Sequence, residues 1–89
     1  MPSEIMKIVN EKGLHARASA RFVETVERFD AHATVLRDGM EAAGDSIMGL
    51  LMLAAARGTT IEVETGGSEA EALMAALREL VADRFGEGM

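Results

Sequence analysis

The segment Gly13-Leu14-His15-Ala16-Arg17-Ala18-Ser19 sets an imidazole two residues before a guanidinium. A neutral imidazole is a competent nucleophile near neutral pH. Arginine offers a planar fork that matches phosphate oxygens. Helical spacing begins at Ala16, which puts His15 at or just before the first helical residue, beside N–H groups with no intrahelical acceptor. Those N–H groups and the helix dipole attract an anion, by roughly 0.3–1 kcal/mol at an exposed helix end. Nucleophile, helix end and arginine together describe a place to receive a phosphoryl group and hold it. Spacing alone leaves plainer alternatives open. A histidine before a helix commonly serves as a cap or a surface group, and a helix-surface arginine is commonly only solvated.

A second candidate is Ser46. Gly44-Asp45-Ser46 opens a short helix with the serine as its N-cap, a role whose loss typically costs ~1 kcal/mol. The helix that follows is apolar on more than one side. Leu50, Leu53 and Ala54 have core spacing, which leaves Ile47, Met48 and Leu51 as a second stripe. Those three either fill gaps in the core or form a methionine-containing patch that adapts to partners.

The elements that position these groups follow from periodicity. Glu4–Val9 is short and rich in Ile and Val, a strand running into the loop Asn10-Glu11-Lys12-Gly13. From Ala16, the residues Ala20, Val23 and Val26, widened by Phe22 and Phe29, form an apolar stripe opposite Arg17, Arg21, Glu24 and Arg28. That pattern predicts an amphipathic helix of about three turns. Ala31–Arg37 alternates as a strand, Asp38-Gly39 is a strong hairpin signal, and Met40–Ala43 is the return strand. Gly58 suits the stop of the second helix. Thr59–Thr65 alternates Ile61 and Val63 against Glu62 and Glu64, and Gly66-Gly67 turns the chain. Ser68 with Glu71 predicts a capping box, and Leu73, Leu77, Leu80 and Val81 stripe the last helix. The expected fold is α+β, in the order β-α-β-β-α-β-α. It is an open-faced sandwich whose four-stranded, mainly antiparallel sheet carries three helices on one face and polar residues such as Glu62 and Glu64 on the other.

Composition narrows the function classes. The 89 residues fit one domain spanning 1–89. A net charge of −6, with no Trp or Tyr, opposes nucleic-acid binding. The chain has no cysteine, and His15 and His32 lack metal-ligand spacing, so neither a metal nor a cofactor is called for. No signal-peptide layout is visible at the start, and the longest apolar run, Ile47–Ala56, is about half a membrane span. Together these features suggest a soluble, cytoplasmic protein without membrane insertion, and a monomer by default.

GLHARAS resembles the phosphorylation-site motif of the HPr family, the histidine phosphocarriers of the bacterial phosphoenolpyruvate-dependent phosphotransferase system. Asp45–Leu51, DSIMGLL, is similar to the family's second signature, around its regulatory serine. The resemblance implies a carrier and not an independent enzyme on a small substrate. It would take a phosphoryl group on His15, at Nδ1, from enzyme I and pass it to an enzyme IIA-type protein, in sugar transport or in regulation. Arg17 would stabilise the phosphate, with the backbone N–H groups of Ala16 and Arg17 as donors. Ser46 would be a regulatory site for a serine kinase/phosphorylase, adding about −1.5 to −2 charges. Ile47, Met48 and Leu51 would belong to the partner surface.

Two departures matter. Ala18 stands where the family's commonest form has proline, and alanine there keeps a backbone donor in a first turn that tolerates either residue. Glu24, Glu27 and Asp45 are acidic where many sugar-pathway members carry lysine, which weakens attraction to acidic partners. An alternative is therefore a regulatory binding module of a nitrogen- or carbon-signalling branch, acting through the Ile47/Met48/Leu51 patch without sugar transport. A small hydrolase built on His15 and Arg17 lacks a second catalytic group.

Overall fold

Alternation of apolar and polar residues along four short segments, with helical spacing between them, produces a sheet layered under helices. The computed structural model describes residues 2–88. Its elements are β1 (Ser3–Lys7), α1 (Ala16–Glu27), β2 (His32–Arg37), β3 (Met40–Ala43), α2 (Ile47–Met52), β4 (Thr60–Gly66) and α3 (Ala70–Ala82), followed by a 3-10 turn at Arg84–Gly86. The strands lie in the order β1-β4-β2-β3, and every neighbouring pair is antiparallel. The expected α+β open-faced sandwich is the fold observed.

Asp38 and Gly39 both take positive φ, 49° and 80°, the pattern of a tight turn whose twist matches its strands. Val35 and Val63 stand opposite each other across β2 and β4, and both are fully buried beneath the helices. Glu62 and Glu64 point to the other, half-exposed face. There Glu62 accepts a hydrogen bond from Ser3 Oγ at 2.8 Å. Helix α3 crosses back over the sheet and ties down edge strand β1, where Arg78 donates twice to Glu4, at 2.7 and 2.9 Å.

Several local expectations are corrected. Strand β1 ends at Lys7 and not at Val9. Beyond it, Ile8 still bonds across to Thr59 and Gly58, at 2.9 and 2.8 Å, and is fully buried. Helix α1 presents Ala18, Ser19, Phe22, Val23, Thr25 and Val26 to the core, so the stripe is rotated from the one predicted. Ala16 is exposed and Ala20 half-buried, because small residues mark no face strongly. Helix α2 stops at Met52, well before Gly58, and Ala54 takes the left-handed conformation (φ 52°). Ala54 is consequently exposed, while Leu50 and Leu53 are buried as expected. The capping box of α3 does not form. Ser68 Oγ is drawn to Asp30, where it donates to the backbone carbonyl and the carboxylate, and Glu69 becomes the N-cap without a side-chain capping bond, its carboxylate accepting the Asp30 N–H at 2.6 Å instead. Leu73, Leu77 and Val81 fill the core, with Leu80 packed against its rim.

Candidate functional site

The loop between β1 and α1 is built from Asn10. Its carbonyl accepts the Gly13 N–H at 3.2 Å and its side-chain amide donates to the Gly13 carbonyl at 2.8 Å. Gly13 sits at φ +67°, and a Cβ there would lie 2.5 Å from the Ala55 carbonyl oxygen. Only glycine meets both demands without strain. Leu14, buried, then donates its N–H to Ala55 O at 2.9 Å. The loop is thus clamped between its own asparagine and the segment after α2, and it delivers His15 to the helix end.

His15 is the N-cap of α1, with extended backbone (φ −81°, ψ −175°). Its carbonyl accepts the Ser19 N–H at 2.8 Å, and its ring Nδ1 accepts the Arg17 backbone N–H at 3.2 Å. An acceptor Nδ1 carries a lone pair, so the ring proton belongs on Nε2. Nε2 meets the Glu87 carboxylate, whose second oxygen accepts from the Asn10 amide at 2.9 Å. Burial acts to raise the Glu87 carboxyl, but hydrogen bonds from Asn10 and His15, with the nearby charges, hold it below the ordinary carboxylate range. The His15 side chain keeps 27% of its surface exposed, against 13% for Glu87. The histidine is therefore reachable while its orienting carboxylate is covered.

Arg17 lies in the first turn, exposed, and forms no ion pair with an acidic side chain among the described residues. It lines one hollow with Glu11, Lys12, His15, Arg21 and Glu87. The backbone N–H groups of Ala16 and Arg17 begin the same helix. Ser46 caps α2 as expected, its Oγ accepting the Gly49 N–H at 3.0 Å. Behind it Ile47 and Met48 are 41% and 70% exposed, while Leu51 is half-buried. Met52, 72% exposed, extends that apolar surface and was not singled out from the sequence. Asn10 and Glu87 were also missed, since neither belongs to a periodic segment. Among the described residues no cluster of acidic and histidine side chains could hold a metal, and no helix is long and apolar enough to cross a membrane.

The arrangement offers a tautomerically fixed imidazole, a free guanidinium and helix N–H donors, a set suited to phosphoryl exchange at nitrogen. Comparison with known proteins points the same way. The family described as "PTS HPr component phosphorylation site" matches residues 2–83. The phosphocarrier protein HPr of Neisseria meningitidis serogroup A is 46% identical over 88 residues, 99% of each chain. The phosphocarrier protein NPr of Escherichia coli is 38% identical over 85 residues, 94% of each chain. A crystal structure of HPr-C-His from Thermoanaerobacter tengcongensis superposes with a TM-score of 0.94 at 32% identity, covering 100% of both chains.

Proposed function

Because the chain belongs to the HPr family and is a phosphocarrier of the phosphotransferase system, we propose that His15 Nδ1 is its phosphoryl acceptor. On this reading enzyme I is the donor and an enzyme IIA-type protein the recipient. The observation that carries the assignment is the Arg17 N–H held on Nδ1. That bond marks the nitrogen with the lone pair. When Nδ1 attacks phosphorus the N–H is released, and it is already placed to turn onto a phosphoryl oxygen. The Ala16 N–H and the Arg17 guanidinium supply further donors, fixed before the charge arrives. Little covalent work remains for the carrier, because positioning and charge stabilisation dominate phosphoryl transfer.

Ser46 is the proposed regulatory site, modified by a serine kinase/phosphorylase. At a helix N-terminus the added charge is locally tolerated, so the effect falls on partners that dock beside it through Ile47, Met48 and Leu51. The exposure of Ile47 and Met48 supports that docking role. A cytoplasmic location suits such a relay. The likeness to NPr and the acidic Glu24, Glu27 and Asp45 favour a second reading, service in a nitrogen- or carbon-regulatory branch without sugar transport.

Intact-mass measurement after incubation with phosphoenolpyruvate, magnesium and enzyme I of the same organism tests the assignment. One acid-labile phosphate on the wild type, and none on His15→Ala, is the expected result. No phosphate on either, with an enzyme I active on another carrier, would overturn it and leave the binding patch as the function.

A further inference from the structure

The tail after α3 takes an unusual path to reach the histidine. Arg84, Phe85 and Gly86 all adopt left-handed backbone, at φ 55°, 55° and 77°. For arginine and phenylalanine that conformation is strained, and it persists only where the surroundings enforce it. Here they do. The Phe85 ring has no exposed surface, and its carbonyl accepts a hydrogen bond from the Arg21 guanidinium of α1. The reversal carries Glu87 onto the ring, where Asn10, itself fully buried, fixes the other carboxylate oxygen. These residues lie beyond the 2–83 span that the family description matches.

We propose that Glu87 is a positioning residue for phosphoryl transfer, one that holds the His15 proton on Nε2 and balances the charge of the phosphorylated ring. The assignment rests on the carrier reading of His15. In the transfer step the Nδ1 lone pair forms the new bond to phosphorus. The bond from phosphorus to the donor nitrogen breaks, and its electron pair returns to that nitrogen. The Nε2 proton does not leave, so the phosphorylated ring is a cation. Lys12, Arg17 and Arg21 line the same hollow and each disfavours a further positive charge. Glu11 lines it as well, but Glu87 is the acid that touches the ring. Its ionised carboxylate, directly on Nε2–H, offsets those three cations and keeps the ring protonated. A protonated ring is the better leaving group, which preserves the capacity for onward transfer. Glu87 never meets the phosphoryl group, because it contacts the opposite nitrogen.

The test uses 15N-labelled wild type, Glu87→Gln and, as a control, Arg17→Ala, each first shown to be folded by circular dichroism. In unphosphorylated wild type and in Arg17→Ala, a slowly exchanging imidazole N–H is expected on Nε2, and in Glu87→Gln it shifts upfield or exchanges away. With potassium phosphoramidate as the donor, phosphorylation of Glu87→Gln should slow about ten- to hundredfold, the loss typical of a charged hydrogen bond. Once phosphorylated, wild type should release phosphate at a rate that falls as pH rises, and in Glu87→Gln that fall should occur at lower pH. A proton on Nδ1 in the wild type, or an unchanged pH profile in Glu87→Gln, would overturn the proposal. The N–H measurement needs no donor. A proton held on Nε2 in a chain that enzyme I does not charge would overturn the carrier reading and still support the contact.

Discussion

Gly13→Ala should unsettle the site more than its single methyl suggests. At φ +67° an L-residue pays a conformational penalty of about 1–2 kcal/mol. The added Cβ would lie 2.5 Å from Ala55 O and 2.9 Å from Ala56 Cα, backbone atoms that cannot swing aside as a side chain can. Moving them apart breaks the 2.9 Å bond from Leu14 N–H to Ala55 O, worth about 0.5–1.5 kcal/mol. Together the two effects predict a loss of roughly 2–3 kcal/mol, or about 10–20 °C in Tm for a domain of this size. Gly39→Ala supplies the control, because φ is +80° there and a Cβ would meet nothing within 4 Å. It should lose only the conformational part. Both variants narrow the unfolded ensemble equally, so their difference isolates the collision. With no Trp or Tyr, urea unfolding followed by far-UV circular dichroism is the natural assay. Equal midpoints and equal slopes for the two variants would refute the claim that the loop after α2 holds the histidine loop in place.

Ser46→Ala removes the acceptor of the Gly49 N–H and should cost ~1 kcal/mol, seen as a lower urea midpoint at unchanged slope; no change would mean that α2 is held by its packing alone. The Glu87 carboxyl titrates below its usual value of 4.5 in the folded state, so its contribution is complete above the unfolded value and is lost as pH falls through the lower folded one. Wild type should therefore lose more stability than Glu87→Gln between neutral and strongly acidic pH, and equal losses would contradict the hydrogen bonds that Asn10 and His15 give the carboxylate.

The architecture was legible because its signals are local and redundant. Val35, Ile61 and Val63 alternate, Asp38-Gly39 can scarcely be other than a turn, and Leu73, Leu77 and Val81 recur at helical spacing. Misplaced details share one cause, a tertiary partner that outcompetes a local preference. Ser68 is a sound cap in isolation, but Asp30, 38 residues away in sequence, captures its hydroxyl. Gly58 is a sound helix stop, yet α2 ends earlier, and Ala55 and Ala56 are spent in clasping Gly13 and Leu14. In α1 the alanines at 16, 18 and 20 look alike to any periodicity argument. Only the bulk of Phe22, in line with Ala18 one turn back, decides which of them turns inward.

The site divides along the same boundary. Its reactive half, His15 and Arg17, is contiguous and marks itself by residue type at a helix start. Its supporting half comes from Asn10 and Glu87, 77 residues apart, and no window along the chain contains both. One signal did exist. Phe85 follows the last helical turn as a lone large apolar side chain among Asp83, Arg84 and Gly86, and such a residue needs somewhere to be buried. Folding that ring into the core fixes the residues around it, and with Gly86 and Gly88 on either side Glu87 can be brought wherever the reversed chain leads. The contact to the histidine is thus a consequence of where Phe85 packs. A change that loosens Phe85 should be felt first at Nε2 of His15, before any loss of the sheet.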